Sequence, residues 1–178
     1  MKAGLALVLL GLLALMAHSV VALAVPARFL PDMGMLFVVA VALCVRSTVL
    51  GVLFAVLLGY TTDLLSGTLL GQHVLLRLGA YGAARVLSAR LNLRGPLPLA
   101  FFVLILSLIH AGALWALEIF FLPGEVAAPD VLRDLAFQAV ANALLAPPLT
   151  ALVAAIVRRL ENDDSGRLLR LDSRELSL

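Results

Sequence analysis

The chain has 178 residues, 63% of them hydrophobic and only 13% charged, with a formal net charge of +2 and a mean hydropathy of +1.11. A soluble domain is about half apolar and about a quarter charged, so too few polar residues remain to coat a water-exposed globule of this size. A soluble enzyme is disfavoured, disorder is excluded by the high hydrophobicity, and the apolar surplus points to lipid.

A bilayer span takes roughly 20 apolar residues, which leaves room for about five to seven spans and almost no domain outside the membrane. Charges punctuate the sequence, and the gaps between them locate the helices. The first runs from residue 3 to 25 and stops at Pro26. Its uncharged stretch exceeds the ~7–15 residues of a signal-peptide core, so it reads as an uncleaved first helix. Pro31-Asp32 opens a short second helix, 32–45, ended by Arg46. Ser47-Thr48 can cap a third, 47–62. A polar, glycine-containing break follows from Asp63 to Gly71, where Ser66 or Thr68 can cap the next turn and Gly67 and Gly71 permit sharp bends. The fourth helix, 72–91, carries Arg77 and Arg85; the fifth, 97–121, carries Glu118 near its end. Pro123-Gly124 and Pro129 mark a loop before the sixth, 131–157. The chain is thus expected to be all-α and polytopic, a six-helix transmembrane domain over residues 1–158. A charged tail, 159–178, forms an interfacial helix or stays disordered.

Residues 33–62 could instead form one span, but that would leave Arg46 near the bilayer centre at a cost of several kcal/mol unless paired. A helical hairpin with Asp32 and Arg46 snorkelling to opposite interfaces is the better reading. Cation counting agrees. With both termini inside, Lys2, Arg46, Arg85, Arg90, Arg94, Arg158, Arg159, Arg167, Arg170 and Arg174 fall on the inner side. Only Arg28 and Arg133 fall outside, and ten against two satisfies the positive-inside rule. The acidic residues Asp32, Asp63, Glu125, Asp130 and Asp134 fall outside as well. Because the cations are scattered singly, they form no nucleic-acid-binding patch.

No catalytic or metal-binding constellation is visible. His18, His73 and His110 lie in different segments without ligand spacing, and Cys44 is the single cysteine. Gly51, Ala55 and Gly59 recur every four residues and give the third helix a smooth face for close packing, internal or with a partner. Asp63, at membrane depth, needs a partner: Arg77, His73 or the first N–H groups of the fourth helix. The stretch reads either as a polar staple between two helices, which is preferred, or as an ion or substrate site at a broken helix. Arg77 and Arg85 share a face with Tyr81 between them. Arg85 can snorkel inward, while Arg77 pairs with Asp63 or meets a partner protein. Gln138, Asn142 and Pro147-Pro148 form a second polar, kinked region, read as packing.

Three motifs carry a resemblance to a known family: Pro31-Asp32; Gly59 through Asp63-Leu64-Leu65-Ser66-Gly67 to Leu70-Gly71; and Asn142 with Pro147 ahead of Arg158-Arg159. In these, and in length and span count, the chain resembles MreD, the rod shape-determining integral membrane protein of bacteria. The resemblance implies a fold similar to the S components of energy-coupling-factor vitamin transporters and a non-enzymatic, cofactor-free role in the elongasome, which builds lateral peptidoglycan. It also implies association with the bitopic protein MreC, and through it with actin-like MreB, the glycosyltransferase RodA and its transpeptidase partner. The alternative is a vitamin-binding S component. Those proteins typically show an Ala-x-x-x-Ala pattern on the first helix, and the alanines here, at 3, 6, 14, 17, 22 and 24, contain no such pair before Val25. A minimal ion-coupled transporter, with Asp63 and Arg77 as its relay, is a third possibility.

Overall fold

A computed structural model describes residues 2–26, 29–67, 69–91, 93, 95–121 and 131–175. Only backbone is described for residues 2, 3, 118, 131, 132 and 161–175. Arg28, Thr68, Arg94 and the 122–130 loop with Glu125 and Asp130 lie outside the described residues. So do the side chains of Lys2, Glu118, Arg167, Arg170 and Arg174.

The described residues form six helices and no strand: α1 (Lys2–Val21), α2 (Met33–Cys44), α3 (Thr48–Ser66), α4 (Gln72–Arg90), α5 (Pro96–Phe121) and α6 (Val131–Glu175). Four of them (α1, α3, α5 and α6) are long and apolar enough to cross a membrane, consistent with a multi-pass membrane protein. Large apolar side chains stand exposed on every helix except α2, such as Leu13 on α1, Leu53 on α3 and Leu144 on α6. An apolar exterior of that extent suits lipid, not water.

The short helix is the centre of the bundle. All residues of α2 from Gly34 to Ala42 are buried, and it packs against α1, α3, α4 and α6. A helix apolar on every face belongs in such a place. Its twelve residues span only about 18 Å, well short of a hydrocarbon core of ~30 Å. The break between α2 and α3 falls at residues 45–47, where Ser47 accepts a hydrogen bond from Leu50 N at 3.3 Å and caps α3. Arg46 is exposed there. The C-terminal end of α2, at this same break, is closed by Arg85, whose Nη1 donates to Ala42 O and Val45 O and Nη2 to Arg46 O, at 3.0, 2.9 and 2.8 Å. Arg85 therefore serves as a C-cap, satisfying carbonyls at the negative end of the helix dipole, and is not a free snorkelling cation.

Three boundaries differ from the sequence reading. The helical part of α1 ends at Val21, followed by hydrogen-bonded turns through Val25. Helix α3 runs through Asp63 to Ser66 and stops only where Gly67 takes φ 65°. A single carboxylate does not break a helix when donors meet it; a left-handed glycine does. Helix α6 passes Pro147 and Pro148 and continues to Glu175, so the backbone of the charged tail prolongs the last helix.

The ridge of Gly51, Ala55 and Gly59 faces inward against α4. A Cβ on Gly51 would collide with the Tyr81 ring and hydroxyl, and one on Gly59 with the backbone of Val74. Ala55 is fully buried. Because Val74 backbone cannot step aside, Gly59→Ala is expected to lower stability by about 1–3 kcal/mol. Gly79→Ala, with nothing within 4 Å of the added carbon, should be neutral or stabilise by about 0.5–1 kcal/mol. Equilibrium unfolding of both variants in detergent checks the contrast.

Candidate functional site

The polar side chains of the bundle gather at the end where α1 and α3 finish and α2, α4 and α6 begin. A cavity of about 450 Å³ lies there, with walls from all six helices, including His18, Asp32, His73, Arg77, His110 and Asn142. The chain's three histidines, dispersed in the sequence, all line it. They do not form a metal site: among the described residues no group of three His, Cys, Asp or Glu side chains stands close enough to hold one.

Two acidic residues are held in different ways. Asp63 is completely buried and closes the first turn of α4. Its Oδ2 accepts from Gly71 N at 2.9 Å and Val74 N at 3.4 Å, its Oδ1 from His73 N at 2.9 Å, and the His73 ring Nδ1 lies 2.9 Å from Oδ1. A helix start leaves four N–H groups without partners and carries a positive dipole end; Asp63 answers both from eight to eleven residues upstream. That is why the residue before α4, Gly71, needs no side-chain cap and can take φ 96°. The Ser66 hydroxyl turns back to donate to Asp63 O at 3.3 Å. Leu64, between them in sequence, is exposed.

Asp32 follows Pro31 and is the N-cap of α2, its Oδ1 accepting from Met35 N at 2.9 Å. The expectation that it snorkels outward is corrected: α2 sits inside the bundle, so its N-terminus faces the cavity. Arg77 Nη2 approaches Asp32 Oδ1 at 3.4 Å, and His110 Nε2 approaches Oδ2 at 3.5 Å. Arg77 is 1% exposed and also donates through Nη1 to Leu58 O. It pairs with Asp32 and not with Asp63, which corrects that expectation. The guanidinium lies on Gly34, where any Cβ would overlap it. Glycine two residues after Asp32 was the available sign that something approaches α2 closely, and the sequence reading passed over it.

The supposed second polar region belongs to this same site. Asn142 Oδ1 accepts from Asp32 N at 2.8 Å, and its Nδ2 donates to Ser107 Oγ at 3.1 Å. Gln138 Nε2 donates to Leu30 O at 3.3 Å. Pro147 lies further along α6, inside the helix and outside the cavity. Sequence reasoning named His110 only as a histidine without ligand spacing and singled out neither Ser107 nor Gly34; all three belong to the cluster. A larger cavity of about 770 Å³ runs between α4 and α5, but its walls are apolar except for His110. The chemistry is concentrated in the smaller one.

Comparison with protein-family models, with curated proteins and with solved structures finds no match for the chain. The resemblance to MreD therefore rests on the sequence motifs alone.

Proposed function

We propose that the chain is an MreD-like, non-enzymatic membrane scaffold and regulator of the bacterial elongasome, binding an MreC-like bitopic protein and supporting lateral peptidoglycan synthesis and cell shape. One observation carries this reading: members of all three motifs behind the resemblance, far apart in sequence, are linked through the N-terminal ends of α2 and α4. Asp32 of the first is bonded to Asn142 of the third. Asp63, Gly67 and Gly71 of the second build the turn that launches α4, and α4 delivers Arg77 to Asp32. Residues that share one structural task are what a family signature in a scaffold should contain.

In this reading all six helices lie in the cytoplasmic membrane, α2 reaching only part-way across, both termini face the cytoplasm, and the cavity opens toward the outer leaflet. The arrangement would be similar to an S-component fold. The α2–α3 hairpin break and the exposed Arg46, Arg90, Arg158 and Arg159 at the opposite end from the cavity support that orientation. Partner binding proceeds by helix-on-helix packing in lipid, where close backbone approach replaces the hydrophobic force. MreC, directly, and MreB, RodA and its transpeptidase, through it, are the proposed partners.

Co-expression with an MreC-like protein tests the proposal. The two should co-purify in detergent at a fixed ratio, and reporter fusions at the two ends should both report cytoplasm. Separate elution of well-folded proteins would remove the scaffold reading, whatever the fusions show.

A further inference from the structure

The polar cluster in the small cavity is not saturated by its own members. Arg77 carries a permanent charge and is buried, yet its Nε makes no hydrogen bond and its contact with Asp32 is 3.4 Å. A charge-assisted N–H···O bond is about 2.7–2.9 Å. His110, 8% exposed, makes no hydrogen bond through Nε2 and stands 3.5 Å from Asp32 Oδ2. Arg77 is bonded to Oδ1, and Oδ2 faces His110. Buried polar groups are normally paired, and exceptions need a reason. Here two unmet donors and an under-used carboxylate oxygen belong to one cavity.

We propose that this cavity binds a small zwitterion, a phosphate or carboxylate joined to a primary ammonium, supplied free or as the headgroup of a lipid. The oxyanion accepts from His110 and Arg77, and the ammonium donates to Asp32. Charge complementarity selects this class over a simple ion. Asp63 is already met by three backbone N–H groups and His73, which leaves one guanidinium and one carboxylate, a balanced pair that favours neither a lone anion nor a lone cation. The size agrees, because about 450 Å³ lies within the ~300–1,000 Å³ of small-molecule pockets. Leu15, Leu65, Leu114 and Leu135 complete an apolar wall. With no hydrogen bond at Nε2 to break, the His110 ring can turn toward the ligand at little cost. The inference is independent of the scaffold reading: a scaffold could hold such a molecule, and so could a protein of another function.

The test uses the full-length protein in phosphatidylcholine nanodiscs, with thermal unfolding and native mass spectrometry as readouts. At roughly a hundredfold excess over Kd, O-phosphoethanolamine should raise Tm by about 5 °C or more. Phosphocholine, which lacks ammonium N–H donors, and inorganic phosphate should not. A shift given only by phosphatidylethanolamine doped into the disc assigns the site to a lipid headgroup; a shift with the free compound assigns it to a soluble zwitterion. Leu114→Trp, which fills the cavity from its apolar wall, should abolish the shift, and Asp32→Asn should erase the preference for ethanolamine over choline. Stabilisation by phosphate as strong as by the zwitterion, persistence of the shift in Leu114→Trp, or no shift with either source would each overturn the proposal.

Discussion

Arg77→Met is expected to cost about 3–5 kcal/mol of unfolding free energy, although the new side chain is more apolar than the old. Removing one member of a buried ion pair leaves the other charge uncompensated, and that penalty exceeds the worth of the pair itself. In the variant, Asp32 keeps its bond from Met35 N but loses its nearest cation, while Leu58 O loses a donor. The double variant Asp32→Asn, Arg77→Met should recover most of the loss, because no buried charge is then left alone. Gly34→Ala provides a second route to the same defect, since its methyl would occupy the seat of the guanidinium. Its cost should match that of Arg77→Met and should not add to it, because residues sharing one defect are non-additive. Equilibrium unfolding in mixed micelles reads all four proteins. A neutral Arg77→Met would mean that the guanidinium is not held where the structure places it.

The contrast between Asp63 and Asp32 shows what the sequence could disclose. For Asp63 the partners are local: the turn is only eight residues long, and the candidates comprised the next cation, the next histidine and the next helix start. Two of those three are its partners. The hairpin break at Arg46-Ser47 was readable for the same reason, since a cation beside a capping serine states its own geometry. Asp32 is different. Its contacts to Arg77 and Asn142 bridge 45 and 110 residues, and no periodicity records which of several inward-facing polar residues will meet. The choice is made by α2, whose shortness and all-round apolarity send it to the middle of the bundle. Once α2 is central, its N-cap cannot reach a membrane surface, and polar residues of α4, α5 and α6 converge on it. Composition announced an apolar bundle, but the convergence of three histidines, an arginine and two carboxylates is a property of helix placement.

Asp63→Ala should be nearly as damaging as Arg77→Met, by a different mechanism. The substitution removes the acceptor for three N–H groups of α4 and for the His73 ring together. Unsatisfied buried donors cost about 1–3 kcal/mol each, but water entering the adjoining cavity can reach some of them, so a total near 3 kcal/mol is expected. Asp63→Asn retains one acceptor oxygen without the charge and should recover about half of that. His73→Ala, which deletes one contact and leaves the backbone acceptors in place, should cost about 1 kcal/mol. The ordering matters more than any single value. If Asp63 served mainly as the ionic partner of His73, the two alanine variants would be equally unstable and their double variant no worse than either. If it serves mainly to cap α4, Asp63→Ala exceeds His73→Ala, and hydrogen exchange should show the amides of Gly71, His73 and Val74 losing protection before the middle of the helix does. The bond pattern favours the cap, because three of the four donors are backbone and would be orphaned whatever residue stood at position 73.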